Sequence, residues 1–224
     1  KLCVKKGPKG AIEYIEDQIK EIDKDEWKGI AVYVDHVKGK IHPVTYELIG
    51  KAIELAEKIN QQVYAVFIGN NILSEAEELL HYGVDKVFVY DDEELKDFRI
   101  ESYTSAFEDF INNNKPTAIL VGATTIGRSL APRVAARFKT GLTADCTVLE
   151  MKENTDLVQI RPAFGGNIMA QIVTPNSRPQ LATVRYKVME APERSETAKG
   201  EIVTCNVDKE KLKSGISVIE IKEK

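Results

Sequence analysis

The stretch with the greatest potential for chemistry runs from Thr117 to Arg185. Small residues, arginines and threonines stand there between apolar runs, in the segments TAILVGA, TTIGRS, RPAFGGN and QLATVR. Glycine lets a backbone come close to another molecule, and the rigid guanidinium fork of arginine suits anionic groups. We therefore expect a ligand or partner surface in this stretch, while the rest of the chain shows little visible chemistry.

The segment GATTIGRS (122–129) lies between a predicted strand and a predicted helix. It has the G-x-x-x-x-G spacing of a phosphate-binding loop, but Arg128 stands where that loop carries lysine. Arginine does not replace the compact ammonium group that reaches the outer phosphates. The pattern therefore favours a tight glycine turn for close packing over ATP hydrolysis. Pro132 suits the first turn of the following helix.

The second candidate segment is RPAFGGN (161–167). Arg161 follows the apolar residues Leu157, Val158 and Ile160, so a partly buried guanidinium is expected, and such a group needs an anionic or electron-rich partner. A ligand contact and a structural ion pair both remain open. The pair Gly165–Gly166 suits either close approach of backbone to another group or a hairpin turn.

Other polar residues give weaker signals. Asp35 and Asp91 lie at the carboxyl ends of predicted strands, where ligands often bind, but loop carboxylates without a catalytic role are the more common case. The three histidines have no metal-ligand spacing, no Ser/His/Asp or Cys/His arrangement stands out, and no G-x-G-x-x-G follows the first strand. We expect no catalytic residue and no metal site here.

Composition limits the class of protein. The chain has 224 residues, of which 43% are hydrophobic and 29% charged, with a net charge of −4. This size suits one large domain or one domain with appendages. The mildly acidic balance argues against nucleic-acid binding, and no apolar run is long enough for a membrane span. Three scattered cysteines and the lack of a signal-peptide pattern indicate a reducing, cytoplasmic setting.

Residues 1–27 are interpreted as a leader. CVKKGP resembles the end of the iron–sulfur pattern C-x3-C-P, except that Gly7 replaces the second cysteine. A charged leader is favoured over a degenerate ferredoxin remnant, and too few thiolates are present to hold an iron–sulfur cluster in this segment. Ile12, Ile15, Ile19 and Ile22 have helical spacing, which predicts an amphipathic helix within 11–27.

The following residues alternate between predicted strands and helices, which indicates an α/β domain over 28–213 with a parallel sheet flanked by helices. The predicted strands are 29–35, 61–69, 86–92 and 117–123, and the helices are 44–59, 74–83 and 102–114. After Phe138, strands at 146–152, 157–164, 167–174 and 180–185 are expected to form an added antiparallel meander, which either extends the sheet or lies beside it. A further strand is expected at 201–208. Residues 214–224 are interpreted as the start of a link to a further domain.

Over residues 117–190 the sequence resembles the alpha subunit of electron-transfer flavoproteins. The resemblance is carried by GATTIGRSLAPRVAARFKTGLTADCT and by RPAFGGNIMAQIVTPNSRPQLATVR. It implies a nucleotide-binding, adenine-nucleotide-hydrolase-like α/β domain that pairs with an electron-transfer flavoprotein beta subunit. It also implies FAD, bound mainly in a C-terminal domain beyond Lys224 and in the beta subunit.

The resemblance implies specific roles for three residues. Arg161 corresponds to the position that approaches the ring of the FAD in the beta subunit, where its charge would stabilise the reduced flavin. Arg128 and Thr125 are assigned to the same cleft or to the subunit interface. All three are therefore candidate cofactor-binding residues.

The implied function is electron transfer within a flavoprotein oxidoreductase complex, with an acyl-CoA or 2-hydroxyacid dehydrogenase as partner. The ferredoxin-like leader favours flavin-based electron bifurcation with NADH and ferredoxin, as in the clostridial-type subunits that carry an upstream ferredoxin-like module. A non-bifurcating electron carrier, a P-loop-like nucleotide-binding domain and a purely structural scaffold remain as alternatives.

Overall fold

The computed structural model describes residues 6–8, 11 and 22–220. Its centre is a seven-stranded sheet in which every neighbouring pair of strands is parallel. In their order across the sheet, the strands are β12 (Glu201–Cys205), β5 (Lys86–Asp91), β4 (Val63–Gly69), β1 (Ile30–Tyr33), β6 (Ala118–Gly122), β11 (Gln180–Val184) and β7 (Leu142–Cys146). Strands β1, β6 and β11 are buried along their length, as expected for the middle of a sheet covered on both faces.

Helices cover both faces of this sheet. They are α1 (Pro43–Ile59), α2 (Leu73–Leu79), α3 (Ile100–Asn114), α4 (Thr125–Phe138) and α5 (Lys209–Leu212). Residues of α1 and α2 belong to one apolar core, and residues of α3, α4 and α5 belong to the other. The predicted parallel sheet flanked by helices is confirmed. The helix expected within 11–27 lies mostly outside the described residues; Lys24–Glu26 form a 3-10 turn.

A three-stranded antiparallel sheet is inserted between β7 and β11. It contains β8 (Val148–Met151), β9 (Leu157–Ala163) and β10 (Ile168–Ile172) in the order β10-β9-β8, and we call it the arm. A second small antiparallel pair, β2 (His36–Val37) and β3 (Lys40–Ile41), follows β1. The arm confirms the predicted added antiparallel strands.

The predicted meander is wrong at its fourth member. Residues Gln180–Val184 form β11, which lies in the main sheet and pairs in parallel with both β6 and β7. Its composition did not reveal this, because a short buried strand has the same apolar character in a parallel or an antiparallel sheet. The apolar run that begins at Ile216 shows no strand as far as residue 220.

An exposed segment, residues 186–200, carries the chain from β11 to β12 at the far edge of the sheet. It passes over α1, where a Cβ added to Gly50 would lie 2.3 Å from the carbonyl oxygen of Glu190. Arg194 forms a bidentate ion pair with Glu78 of α2. No helix in the described part of the chain has the length and apolar character needed to cross a membrane.

Candidate functional site

The strand order reverses between β1 and β6, which is where open parallel sheets most often bind ligands. Asp35 follows β1 and Thr124 follows β6 at this point. The hydroxyl of Thr124 donates a hydrogen bond to Oδ2 of Asp35. Asp35 is 3% exposed, and its burial raises the pKa of the carboxyl, while the hydrogen bond from Thr124 acts in the opposite direction. The hydrogen bond therefore links the ends of these two strands across the crevice.

The glycines of GATTIGRS serve close packing. A Cβ added to Gly127 would lie 2.0 Å from the carbonyl oxygen of Gly122, and one added to Gly122 would lie 2.6 Å from Cγ1 of Val44. The amide of Gly127 donates to Oγ1 of Thr124 at 3.0 Å, so Thr124 is the N-cap of α4. This geometry agrees with the favoured interpretation, a tight glycine turn.

The sequence predicted Pro132 in the first turn of a helix, and the structure shows that this prediction is wrong. The helix begins at Thr125, so Pro132 lies in its interior. The expectation failed because Thr124 caps the helix earlier than the position at which proline would be best tolerated.

Thr125 and Arg128 lie on the first turns of α4, and both are exposed. Arg128 Nε donates to the carbonyl oxygen of Ala123 at 2.9 Å. Its terminal nitrogen lies 3.0 Å from Oδ1 of Asp145 near the end of β7, but the angle is not that of a hydrogen bond, so the contact is a charge contact. Arg128 therefore connects the turn at Ala123 to Asp145 of β7, and part of its guanidinium stays exposed.

Arg161 lies on β9, opposite Ala170 of β10, and is partly buried. No described side chain forms a hydrogen bond or an ion pair with its guanidinium. The structural ion pair that the sequence left open is therefore not found among the described residues. A partly buried cation without a counter-ion is a feature of sites that receive an anionic group from elsewhere.

The end of β7 brings the two arginines to the same part of the molecule. Arg128 contacts Asp145. The residue after Asp145 is Cys146, and the positive charge of Arg161 acts on its thiol. Burial raises the pKa of the Cys146 thiol to about 12, and the Arg161 charge acts to lower it. The region therefore carries two cationic groups around a neutral thiol.

Arg185 is a third cation at this edge that the sequence analysis did not single out. It directly follows β11, the strand between β6 and β7, and its amide donates to the carbonyl oxygen of Cys146 at 3.2 Å. Its side chain is exposed. The available signal was its position, since a charged residue directly after a buried parallel strand lies at the ligand-binding edge of the sheet.

The turn between β9 and β10 is the exposed tip of the arm. Phe164, Gly165 and Gly166 all have positive φ, and an added Cβ at either glycine would meet nothing within 4 Å. Of the two interpretations of this glycine pair, the hairpin turn is found, and neither glycine serves close packing within this chain. Phe164 is 82% exposed, and Ile168 and Met169 are each 54% exposed. Clustered exposed apolar side chains of this kind mark contact surfaces.

Asp91, a weaker sequence candidate, and His36 have structural roles. The carboxylate of Asp91 accepts hydrogen bonds from the amides of Asn71 at 2.7 Å and Ile72 at 3.0 Å, just before α2. The ring of His36 is buried, with Nε2 2.7 Å from the carbonyl oxygen of Ile68 and Nδ1 accepting from the Gly39 amide at 3.1 Å. No metal-binding cluster is found in the part of the chain that the structure describes.

Comparison with known proteins gives a family match over most of this fold. The family described as "Electron transfer flavoprotein domain" matches residues 30–210, which include the whole seven-stranded sheet, the arm and the arginine-rich edge. This chain belongs to the electron transfer flavoprotein domain family. The resemblance in the sequence is thereby confirmed.

Three curated relatives are similar to this chain. The chain is 63% identical over all of its 224 residues to "Lactate dehydrogenase (NAD(+),ferredoxin) subunit LctC" of Acetobacterium woodii, covering 54% of that protein. It is 45% identical over 81% of its length to "Electron transfer flavoprotein subunit alpha" of Megasphaera elsdenii, covering 54% of it. It is 42% identical over 80% of its length to "Protein FixB" of Azorhizobium caulinodans, covering 49%. The chain thus spans about half the length of the curated relatives it matches.

Proposed function

We propose that this chain forms the N-terminal domain of an electron-transfer flavoprotein alpha subunit, and that its arm contacts the flavin-binding beta subunit. The observation that carries this proposal is Arg161, a partly buried cation on the arm with no anionic partner among the described residues. The family match and the relative named as an alpha subunit support the same assignment.

The arm offers two complementary kinds of contact. Phe164, Ile168 and Met169 supply exposed apolar surface at its tip. Arg161 lies on β9, three residues before Phe164, and can donate hydrogen bonds to a group that the partner brings. Aromatic residues, methionine and arginine are the types enriched at protein interfaces. We assign the tip of the arm to the subunit interface, and we assign Arg161 to contact with the flavin that the beta subunit holds.

The residues present fit a flavin at this edge. FAD supplies the electron-transfer chemistry when bound, and its ring gains negative charge on reduction. The guanidinium of Arg161 would lie beside that charge and stabilise it, because a partly buried cation acts through a lower dielectric than bulk water. We assign Arg128 and Thr125 to the same flavin-binding region, as cofactor-binding or interface residues. The contacts with Ala123 and Asp145 hold the Arg128 side chain in place.

We further assign this chain to a complex with a 2-hydroxyacid dehydrogenase in the cytoplasm. In this complex, electrons would pass between the flavins, NADH and ferredoxin by bifurcation. It is supported by the relative whose name gives lactate dehydrogenase, NAD(+) and ferredoxin. An acyl-CoA dehydrogenase partner and simple, non-bifurcating transfer are the alternatives. The leader 1–27 and the link 214–224 are proposed to join this domain to an upstream ferredoxin-like module and a C-terminal FAD domain.

The direct test is the flavin content of the full-length protein purified with the subunit that accompanies it. Two FAD per heterodimer are expected for the bifurcating type, and one FAD indicates a simple carrier. A complex without flavin contradicts the proposal. Spectra during reduction by NADH, with and without ferredoxin, then separate bifurcation from simple transfer.

The role of the arm is tested by the double variant Phe164→Ser and Met169→Ser. Both side chains are largely exposed, so the change should leave the fold intact while weakening co-purification of the partner subunit. Val37→Ser is the matched control, because Val37 is 66% exposed but lies on the β2–β3 pair, away from the arm. Equal subunit yield from both variants would remove the arm from the interface.

A further inference from the structure

Gln159 of β9 is a buried glutamine whose amide has no partner in the described part of the chain. The residue is 0% exposed, and neither its side-chain oxygen nor its nitrogen forms a hydrogen bond with a described residue. The other buried side-chain atoms without a hydrogen bond are single atoms of Asp145, Thr174 and Arg178. Burying an amide without hydrogen bonds destabilises the folded state, so the Gln159 side chain needs a physical explanation.

The neighbours of Gln159 explain why its amide is unpaired within the arm. Gln159 stands opposite Leu149 of β8 and opposite Ile172 of β10, and both of these residues are apolar. Residues two apart on a strand share a face, and Leu157, the preceding residue on this face, is 0% exposed. Gln159 is therefore enclosed by apolar side chains on both adjoining strands and toward the core.

Arg161 is the polar neighbour in the remaining direction. It lies two residues further along β9 on the same face, at a Cα separation of about 7 Å. It stands opposite Ala170, whose small side chain takes little space. The positive charge of Arg161 acts on the buried thiol of Cys146, so the guanidinium lies toward the core-facing side of the arm. The two long side chains can therefore meet on this side.

The two side chains have complementary hydrogen-bonding groups. A guanidinium has five N–H donors and no acceptor, whereas the amide oxygen of glutamine is an acceptor. When a partner subunit covers the arm, water leaves the guanidinium, and the donors that do not face the flavin need acceptors from the protein. The side-chain oxygen of Gln159 is an unused acceptor on the same face of the same strand.

We propose that Gln159 is a positioning residue for Arg161. In the assembled complex, its side-chain oxygen accepts a hydrogen bond from the guanidinium and holds this cation toward the flavin. The inference rests on the proposed function, in which Arg161 contacts the flavin that the beta subunit holds. A neutral amide suits this role, because a carboxylate at the same place would form an ion pair and cancel part of the charge that stabilises the reduced ring.

The test compares the midpoint potential of the partner flavin in intact complexes of wild type and Gln159→Leu. Leucine removes the acceptor and suits the apolar surroundings, so the arm should stay folded. Loss of one hydrogen bond should weaken the preference for the reduced flavin about 3-fold to 10-fold, a negative shift of roughly 30–60 mV for one electron. Gln171→Leu is the matched control, because Gln171 is exposed on β10 and stands opposite Ile160. It should keep the wild-type potential.

A double-mutant cycle separates positioning from a structural role. In the Arg161→Ala background, Gln159→Leu should cause no further shift, because the group that Gln159 positions is absent. Thr174→Val, which removes another buried hydroxyl without a partner, should keep the wild-type potential. Equal shifts by Gln159→Leu in both backgrounds, or an equal shift in Thr174→Val, would overturn the proposal.

A crystal structure of the intact complex gives a result that does not depend on the potential. The side-chain oxygen of Gln159 should lie within about 3.2 Å of a guanidinium nitrogen of Arg161. A wild-type potential in Arg161→Ala would contradict the proposed function, and the role of Gln159 with it. A shift in Arg161→Ala with none in Gln159→Leu, or a Gln159 oxygen bound to another group, would overturn the positioning role alone.

Discussion

The hydroxyl of Thr124 donates a hydrogen bond to the carboxylate of Asp35 across the point where the strand order of the sheet reverses. The same oxygen accepts the amide of Gly127 and so caps α4. One side chain therefore joins the end of β1 to the first turn of α4. This hydrogen bond spans the usual ligand crevice, and the exposed cations Arg128 and Arg185 lie further along the same edge of the sheet.

Thr124→Val should destabilise this junction. It removes the cap of α4 and leaves the buried Asp35 carboxyl without its donor, which together cost roughly 1–3 kcal/mol. Hydrogen exchange in the full-length protein should become faster in peptides from α4 and the end of β1. Thr124→Ser keeps both hydrogen bonds and is the control; exchange as slow in Thr124→Val as in Thr124→Ser would contradict the assigned role.

His36 should make stability depend on pH. Burial lowers its pKa, although its hydrogen bond with Ile68 and the charges of Asp35 and Glu75 act in the opposite direction. The folded state then binds a proton less readily than the unfolded state, whose histidine pKa is about 6.5. The stabilisation is complete above that pH and is lost as the pH falls through and below it.

The measurement is hydrogen exchange of peptides from β1 and β4 at several pH values, corrected for the intrinsic rate. The opening free energy should fall as the pH is lowered below about 6.5, and His36→Gln should flatten this slope. His81→Gln, at a partly exposed histidine beyond α2, should retain the wild-type slope. Equal slopes in all three proteins would contradict the prediction. The raised pKa of Asp35 gives a trend of opposite sign, since its proton is held more tightly in the folded state.

The arm is anchored to the sheet by a buried ion pair. Arg178 donates to Oδ1 of Asp156 at 3.0 Å, and Lys24 contacts the same oxygen at 2.7 Å. Burial acts to raise the pKa of Asp156, but the hydrogen bonds from Lys24 and Arg178 outweigh it and the pKa is lowered. Asp156→Asn leaves the buried Arg178 without its counter-charge and should cost about 3–5 kcal/mol.

Limited proteolysis of the full-length protein checks this prediction, with faster cleavage expected within 157–173. The double variant Asp156→Asn with Arg178→Met removes the unpaired charge and should recover part of the resistance. Arg194→Met breaks an exposed ion pair with Glu78 and should cost below about 1 kcal/mol. Similar cleavage of all three variants would show that the pair does not anchor the arm.

Much of the sheet could be predicted from the sequence, because buried parallel strands and amphipathic helices leave strong local patterns. The positions of β1, β4, β5 and β6 agree with the predicted strands to within two residues. The placement of β11 could not be predicted, since it depends on pairing with β6 and β7 rather than on its own composition. The antiparallel strands of the arm could be predicted because strand-like runs separated by short turns follow Phe138.

The candidate site was only partly accessible from the sequence. Arg161 stands out because it interrupts an apolar strand, and the structure finds no counter-ion for it among the described residues. Arg161 and Arg185 both lie near Cys146 because strands that are distant in sequence are neighbours in the fold. No local sequence pattern reveals this arrangement. Thr124 was overlooked in favour of Thr125, although only the former caps α4. The roles of Arg161, Arg128 and Thr125 at a flavin stay predictions.

The most direct test of the proposed function is the midpoint potential of the partner flavin in the intact complex. Replacement of Arg161 by alanine removes the cation that stabilises the reduced ring, so the potential should become more negative. A loss of about 1.4 kcal/mol corresponds to roughly 60 mV for one electron. Arg161→Lys should restore part of the shift, and Arg194→Ala should leave the potential unchanged. An unaltered potential and flavin content in Arg161→Ala would contradict the account and favour a purely structural role for this domain.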